Sequence, residues 1–452
     1  MTELREEQAE QLLNQLLRDN EIIRFREEFL ELHPYDQAKF FANQEKDARI
    51  LLYSYLSPEE MAPIVENLRA EETYEELISE MEPSYVAEIL TEMYADDAAD
   101  VLNELNKDQA ASYLTMMDNE AAQEIKELLH YDEYTAGSIM TTEFIAIHSN
   151  QTVRSAMQIL RREAPEAETI YYLYVIDEGK HLIGVISIRD LIIADDETMI
   201  IDITNERVVS VSVGDDQEEV ARKMKDYNFL ALPVVDFQNH LLGIITVDDI
   251  IDVIDEEASD DYSKLAAIVE GDTTDKSPLS NAKSRLPWLI ILLFLGMFTA
   301  SLIGRFEDTL DQVAILAVFI PLIAGMAGNT GTQALAVAVR NIATGDIHKE
   351  EKWRIVIREA GTGLITGLTC GILITIVVFV WKENFFLGLL VGTSVIITLI
   401  IATLAGAFIP LLMHHFKIDP AVASGPFITT VNDIISILVY FGLATIFMQY
   451  LI

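Results

Sequence analysis

The sequence predicts a multidomain membrane protein: an all-α superhelical N-terminal domain, a tandem α/β pair, a long connecting helix and a five-helix α transmembrane bundle. Three observations predict it. The whole formal charge of −42 lies in residues 1–282, because residues 283–452 hold ten basic and ten acidic side chains. Apolar runs long enough to cross hydrocarbon are confined to that second part. Two sequence repeats, about twelve and fifty-nine residues long, divide the first part. Charge of this size and sign excludes a nucleic-acid partner. The single cysteine, Cys370, excludes an intrachain disulfide framework and a cysteine-rich metal site.

Residues 1–130 read as helix throughout, and their charged start gives no sign of a signal peptide. AEIL (Ala87–Leu90), ADVL (Ala99–Leu102) and ASYL (Ala111–Leu114) recur every twelve residues. One such short helix cannot bury its apolar face alone, so the repeats are expected to stack as a superhelix.

Residues 131–200 and 201–255 form the second repeat. YVIDEGKHLIGVISIRDLI, from Tyr174, matches PVVDFQNHLLGIITVDDII, from Pro233. Each copy reads as strand, turn and strand, then Ser187 or Thr246 as N-cap with Asp190 or Asp249 at the capping-box position. With the helices near VRSAMQILRR and EEVARKMKDY, each copy becomes a βαββα unit. These residues resemble a tandem of cystathionine β-synthase (CBS) domains. That resemblance implies an adenine-nucleotide cleft, with Tyr172, Arg189 and Asp190 as candidate ligands and ATP as candidate cofactor. Helix capping alone also accounts for Asp190, so both readings stay open.

Residues 256–282 are expected to be a connecting helix. Asp249, Asp252, Glu256 and Asp260 fall on one helical face, flanked by Asp248, Asp255, Glu257 and Asp261. Like charges three or four apart destabilise a helix by a few tenths of a kcal/mol per pair. Either water solvates this face or cations neutralise it. Oxygen-only ligands suit hard Mg²⁺ or Ca²⁺. Asp96, Asp97, Asp100, Glu218, Glu219 and Asp419 offer further carboxylates, and no EF-hand spacing is present.

Residues 283–452 are expected to cross the bilayer at about 286–304, 313–341, 355–381, 386–413 and 421–449. Basic flanks (Lys283, Arg285, Arg340, Lys349, Lys352, Arg354, Arg358 and Lys417) place the acidic part in the cytoplasm and the C-terminus outside. Trp288 and Trp381 suit the interfaces, and Gly363, Gly367 and Gly371 suit close helix packing. His414 and His415 fit an interfacial position. In PLIAGMAGNTGTQ, Pro321, Gly325, Gly328 and Gly331 predict a broken second span around Asn329. Asp433 is the one charged residue from Pro426 to the end, with Thr429, Thr430 and Asn432 beside it. A carboxylate at that depth marks an ion path or a protonated contact between helices.

GNTGTQA (Gly328–Ala334), DPAVASGPFITTVND (Asp419–Asp433), the CBS pair and the acidic helical start together resemble the MgtE family of magnesium channels. The resemblance covers essentially the whole chain. It implies a homodimer in the cell membrane with one pore, in which Asp433, Asn329, Gly328 and Thr429 meet hydrated Mg²⁺. It also implies regulatory Mg²⁺ held by Asp96, Asp100, Glu218, Asp249, Asp252, Glu257, Asp260, Asp261 and Asp419. Asn228 stands where that pattern leads one to expect an acidic ligand. No Ser/His/Asp set, phosphate loop or zinc motif points to an enzyme. Two rival functions are a nucleotide-gated transporter of another divalent cation or solute, and a non-conducting membrane sensor.

Overall fold

A computed structural model describes residues 3–68, 74–268, 277–343, 352–423 and 425–451. The chain divides into two compact units, Met1–Ile254 and Asp255–Ile452.

The first unit opens with ten helices among the described residues: α1 (Glu3–Arg18), α2 (Ile22–Leu30), α3 (Pro34–Ala42), α4 (Lys46–Tyr55), α5 (Pro58–Glu66), α6 (Tyr74–Glu80), α7 (Pro83–Glu92), α8 (Ala95–Glu104), α9 (Lys107–Met116) and α10 (Asn119–Leu128). Helices α7 to α10 start twelve residues apart, as the repeat predicts. Proline sits at the first helical position of α3, α5 and α7, where its missing N–H costs nothing. Ser57 and Glu60 close a capping box on α5. One fully buried carboxylate ties the early helices together. Glu80 accepts from Arg49 Nε (3.0 Å), Arg49 Nη2 (2.7 Å) and the Tyr53 hydroxyl (3.1 Å).

Two βαββα units follow. In the first, β1 (Ala146–His148) pairs parallel with β2 (Tyr172–Ile176), which pairs antiparallel with β3 (Leu182–Ser187). Helix α11 (Val153–Glu163) precedes β2, and α12 (Ile188–Ile193) follows β3. After α13 (Ile200–Ile203), the second unit repeats the order with β4 (Val211–Ser212), α14 (Gln217–Tyr227), β5 (Ala231–Val235), β6 (Leu241–Thr246) and α15 (Val247–Leu265). His181 and His240, equivalent in the two copies, stack at 4.5 Å. One apolar core runs from Leu13 through the helical repeats into Val211, Leu232, Ile245 and Val253. The first βαββα unit keeps a separate core around Ile147, Leu173 and Ile186.

Asn228 is the C-cap of α14, at φ 55° in the left-handed region. Asparagine tolerates that conformation better than glutamate does, which gives this departure from the acidic pattern a backbone reason. The expected connecting segment begins within α15. That helix starts at Val247, ends at Leu265, and Ala267 turns the chain at φ 60°. Residues 269–276 of the expected segment lie outside the described residues.

In the second unit, five helical segments are long and apolar enough to cross a membrane: Pro278–Gly304, Ala314–Ile342, Trp353–Lys382, Phe385–His415 and Gly425–Ile446. Their helices are α16 (Pro278–Gly304), α17 (Glu307–Gln312, a short connection), α18 (Ile320–Ala343), α19 (Lys352–Lys382), α20 (Phe385–His415), α21 (Gly425–Ile446) and the terminal α22 (Met448–Leu451). Gly363, Gly367 and Gly371 of α19 face Thr403, Ile396 and Gly392 of α20, the close packing their spacing predicts.

The expected break at GNTGTQ is corrected. Helix α18 is continuous from Ile320 to Ala343, and the irregular backbone lies earlier, as a 3₁₀ stretch over Ala314–Phe319. Tyr440 of α21 donates to the Leu316 carbonyl (3.0 Å) there, a buried bond between the two segments. The glycines serve proximity instead. A Cβ at Gly328 would stand 2.7 Å from Thr429 Cγ2, and one at Gly331 would overlap the Asn432 amide.

Glu80→Ala is expected to destabilise the protein by about 3 kcal/mol, since it leaves the Arg49 guanidinium with little water and no fork partner. Thermal melting of the full chain in detergent checks this against Glu76→Ala, an exposed neighbour expected to change little.

Candidate cation-binding sites

The first site grows from the N-terminus of α8. Tyr94, its N-cap residue, makes no side-chain cap. Carboxylates from elsewhere take the orphan donors: Tyr94 N–H donates to Glu66 (3.2 Å) and Ala95 N–H to Glu143 (3.2 Å). The positive end of the helix dipole favours this. Asp96 and Asp97 fall in the same first turn, and the chain before β2 brings Glu168 close. Carboxylate oxygens of Glu168, Asp248 and Asp249 lie within 4.8 Å of one another, little more than the width of one octahedral Mg²⁺ shell, about 4.2 Å across.

The electrostatics are one-sided. Burial and then Asp97, Asp249, Glu168 and Glu143 hold Asp96 well above the carboxylate range. Burial, then Glu66, Asp249 and Asp100, push Asp97 up to about 8. Glu168 rises to about 7 and Asp249 to about 6, burial being the largest cause in each. Asp96 Oδ1 and Glu168 Oε2 are buried without hydrogen-bond partners. Such acceptors in native proteins ordinarily have a water or an ion. The donor set is all oxygen and fits a hard divalent cation.

Asp249 has a second role. Its Oδ2 accepts from the Thr246 hydroxyl (2.5 Å) and the Thr246 N–H (3.3 Å), one half of the expected capping box, and one oxygen stays for other partners. Of the residues expected to hold regulatory ions, Asp96 and Asp249 meet here, and Asp100 acts on Asp97. Glu218 sits exposed in the first turn of α14, and Asp252 is exposed on α15.

Within the second unit, Glu257, Asp260, Asp261 and Asp419 form the other group. Asp261 rises to about 6 through burial and Asp419, with Lys264 opposing. Lys264 reaches both Asp260 and Asp419. Sequence reasoning missed Glu66, Glu143, Glu168 and Lys264. Glu66, Glu143 and Glu168 follow no spacing pattern, so tertiary contact alone reveals them; Lys264 lies four residues after Asp260 on α15, a helical pairing that the sequence could have shown.

In the bundle, Gly328 and Thr429 touch, and the hydroxyls of Thr332 and Thr429 stand 3.3 Å apart. Asp433 lies one turn beyond Thr429, half-buried. Asn329 is exposed on α18. Asn432 is buried with both amide atoms unpartnered.

Tyr172 pairs in register with Ser187, and Arg189 and Asp190 begin the helix that Ser187 caps, so all three nucleotide candidates gather at one end of the first sheet. The Asp190 N–H donates to Ser187 Oγ (3.1 Å), the capping bond the sequence predicts, and the same hydroxyl donates to the Asp190 carboxylate (2.6 Å).

Apolar spans and carboxylate clusters suited to hard cations define a class: a membrane transporter of divalent cations. The family pattern so described matches residues 320–443, that of the MgtE intracellular N domain matches 32–134, and CBS patterns match 136–197 and 200–256. The magnesium transporter MgtE of Enterococcus faecalis is 56% identical, covering 98% of this chain and 97% of its own. That of Bacillus subtilis is 42% identical, covering 96% of each. The chain belongs to the MgtE family. A crystal structure of the soluble part of a magnesium transporter covers 56% of this chain and 99% of that one, with 54% identity and a TM-score of 0.55. The cytosolic domain of the Mg²⁺ channel MgtE in complex with ATP covers 53% of this chain and 98% of that one, with 39% identity and a TM-score of 0.51.

Because these carboxyl groups hold protons more tightly folded than unfolded, their contribution to stability is complete below about pH 4 and lost as pH rises through about 8. Protein freed of divalent ions is therefore expected to melt at lower temperature at pH 8.5 than at pH 5, and Mg²⁺ to restore more at pH 8.5. Calorimetry at both pH values checks this; equal Mg²⁺ effects would contradict it.

Proposed function

We propose that this protein is a homodimeric Mg²⁺ channel of the cell membrane, closed by cytosolic Mg²⁺ bound at its own acidic sites. The observation that carries the reading is the group Asp96, Asp97, Glu168 and Asp249: acids largely shut off from water, each beside other acids, two of them with orphaned oxygens. Such a group is unfavourable until protons or a divalent cation neutralise it. The names of the relatives support magnesium as that cation.

In this reading residues 1–255 face the cytoplasm, 256–282 connect, and 283–452 cross the bilayer with the C-terminus outside. Asp433 attracts the hydrated ion, and Thr429, Gly328 and Asn329 border its path. Mg²⁺ sheds water reluctantly, so selection acts on the hydrated ion by charge and fit. A potential negative inside drives each Mg²⁺ inward with about 4.6 kcal/mol per 100 mV. When cytosolic Mg²⁺ is ample it occupies Asp96, Asp100, Glu218, Asp249 and Asp252, and also Glu257, Asp260, Asp261 and Asp419. Closure requires that the ion bind the closed state more tightly than the open one. ATP is a second input, held by Tyr172, Arg189 and Asp190; the ATP complex of the related cytosolic domain supports this.

Proteoliposomes with a Mg²⁺-sensitive interior dye test the reading. Wild type is expected to take up Mg²⁺ at low internal Mg²⁺ and to stop as the interior fills; protein impermeable at every internal concentration would refute it. Asp433→Ala is expected to cut uptake by more than about tenfold. Asp96→Asn with Asp249→Asn is expected to raise the half-closing concentration severalfold with the open-state flux intact.

A further inference from the structure

The last turn of α15 carries the basic side chain Lys264. Its ammonium donates to Asp419 Oδ2 (2.5 Å), just before the fifth span, and pairs with Asp260 one turn earlier on its own helix. Burial works against the ammonium, but the bonds to Asp260 and Asp419 outweigh it and raise its pKa. The turn itself is anchored: Leu265 packs on a cluster of Leu335, Val339, Ala423 and Ile428. The ammonium is thus held by the fold at the gap between two carboxylates, with Asp261 alongside.

A divalent ion bridging Asp260 and Asp419 needs the oxygens that Lys264 now engages. Two cations cannot share them, since the gap has room for one and their repulsion at such range is strong. We propose that Lys264 is a tethered counter-cation which Mg²⁺ must displace to bridge Asp260 and Asp419, so that it sets the Mg²⁺ concentration at which the channel closes. While Mg²⁺ is scarce, the lysine screens Asp260, Asp261 and Asp419 from one another. When Mg²⁺ arrives, the ammonium leaves for water on its flexible stem, and the cost of breaking its two bonds weakens the apparent affinity. The side chains involved are about one-third to one-half exposed, so the penalty is modest.

The inference rests on closure by internal Mg²⁺, as proposed above. The test compares wild type, Lys264→Met and Lys264→Arg in proteoliposomes over a series of internal Mg²⁺ concentrations. Lys264→Met removes the competitor and leaves the carboxylates unscreened, so it is expected to close at roughly three- to tenfold lower Mg²⁺. Lys264→Arg keeps the charge and is expected to stay near wild type. A responsive wild type with an unshifted Lys264→Met, or one needing more Mg²⁺, overturns this proposal alone. A wild type indifferent to internal Mg²⁺ overturns both readings. Protease protection of the purified full chain by Mg²⁺ gives the same ordering without flux; a poorly reconstituting Lys264→Met that is protected at wild-type Mg²⁺ also overturns it.

Discussion

Repulsion among carboxylates that have lost most of their water is the constraint on which the acidic unit depends. An apolar core extending from Leu13 to Val253 joins α8 and the second βαββα unit in one cluster. Asp96, Asp97, Glu143, Glu168 and Asp249 are carried into proximity as a consequence. Hydrophobic burial here works against electrostatics, and the conflict leaves a charge deficit that a small hard cation can cancel. A site built in this way senses concentration through relief of a penalty.

The two units solve the problem of acidic charge differently. The first leaves its buried acids facing other acids. The second supplies an ammonium, Lys264, on the same helix that carries Asp260 and Asp261. Its bundle otherwise balances charge, with ten basic and ten acidic residues from Lys283 onward. Asp433 stands apart from that balance, because α21 surrounds it with hydroxyls, an amide and apolar side chains. A lone acid of this kind attracts cations without committing to a single partner.

Periodicity made most of the architecture legible. The twelve-residue spacing gave the starts of α7 to α10, the fifty-nine-residue repeat gave both sheets and the Ser187–Asp190 and Thr246–Asp249 contacts that follow them, and hydropathy gave five spans. What escaped was the meaning of glycine in α18. PLIAGMAGNTGTQ reads locally as a broken helix, yet side chains on α21 decide the matter by packing into the space the glycines leave. The partners of Asp96 escaped for a related reason. Glu143 and Glu168 come from irregular segments with no period, so their convergence on α8 is a product of the shared core.

The contact between α18, α20 and α21 has a further implication for sequence change. Gly331 meets Asn432 on one side, and its carbonyl faces Gly406 on the other. Even a methyl group at either glycine would collide with a neighbour, and two of the obstacles are main-chain atoms that cannot step aside. Mutational drift at these two positions is therefore barred in both directions, and the bundle forfeits adaptability there in return for helices that touch almost bone to bone.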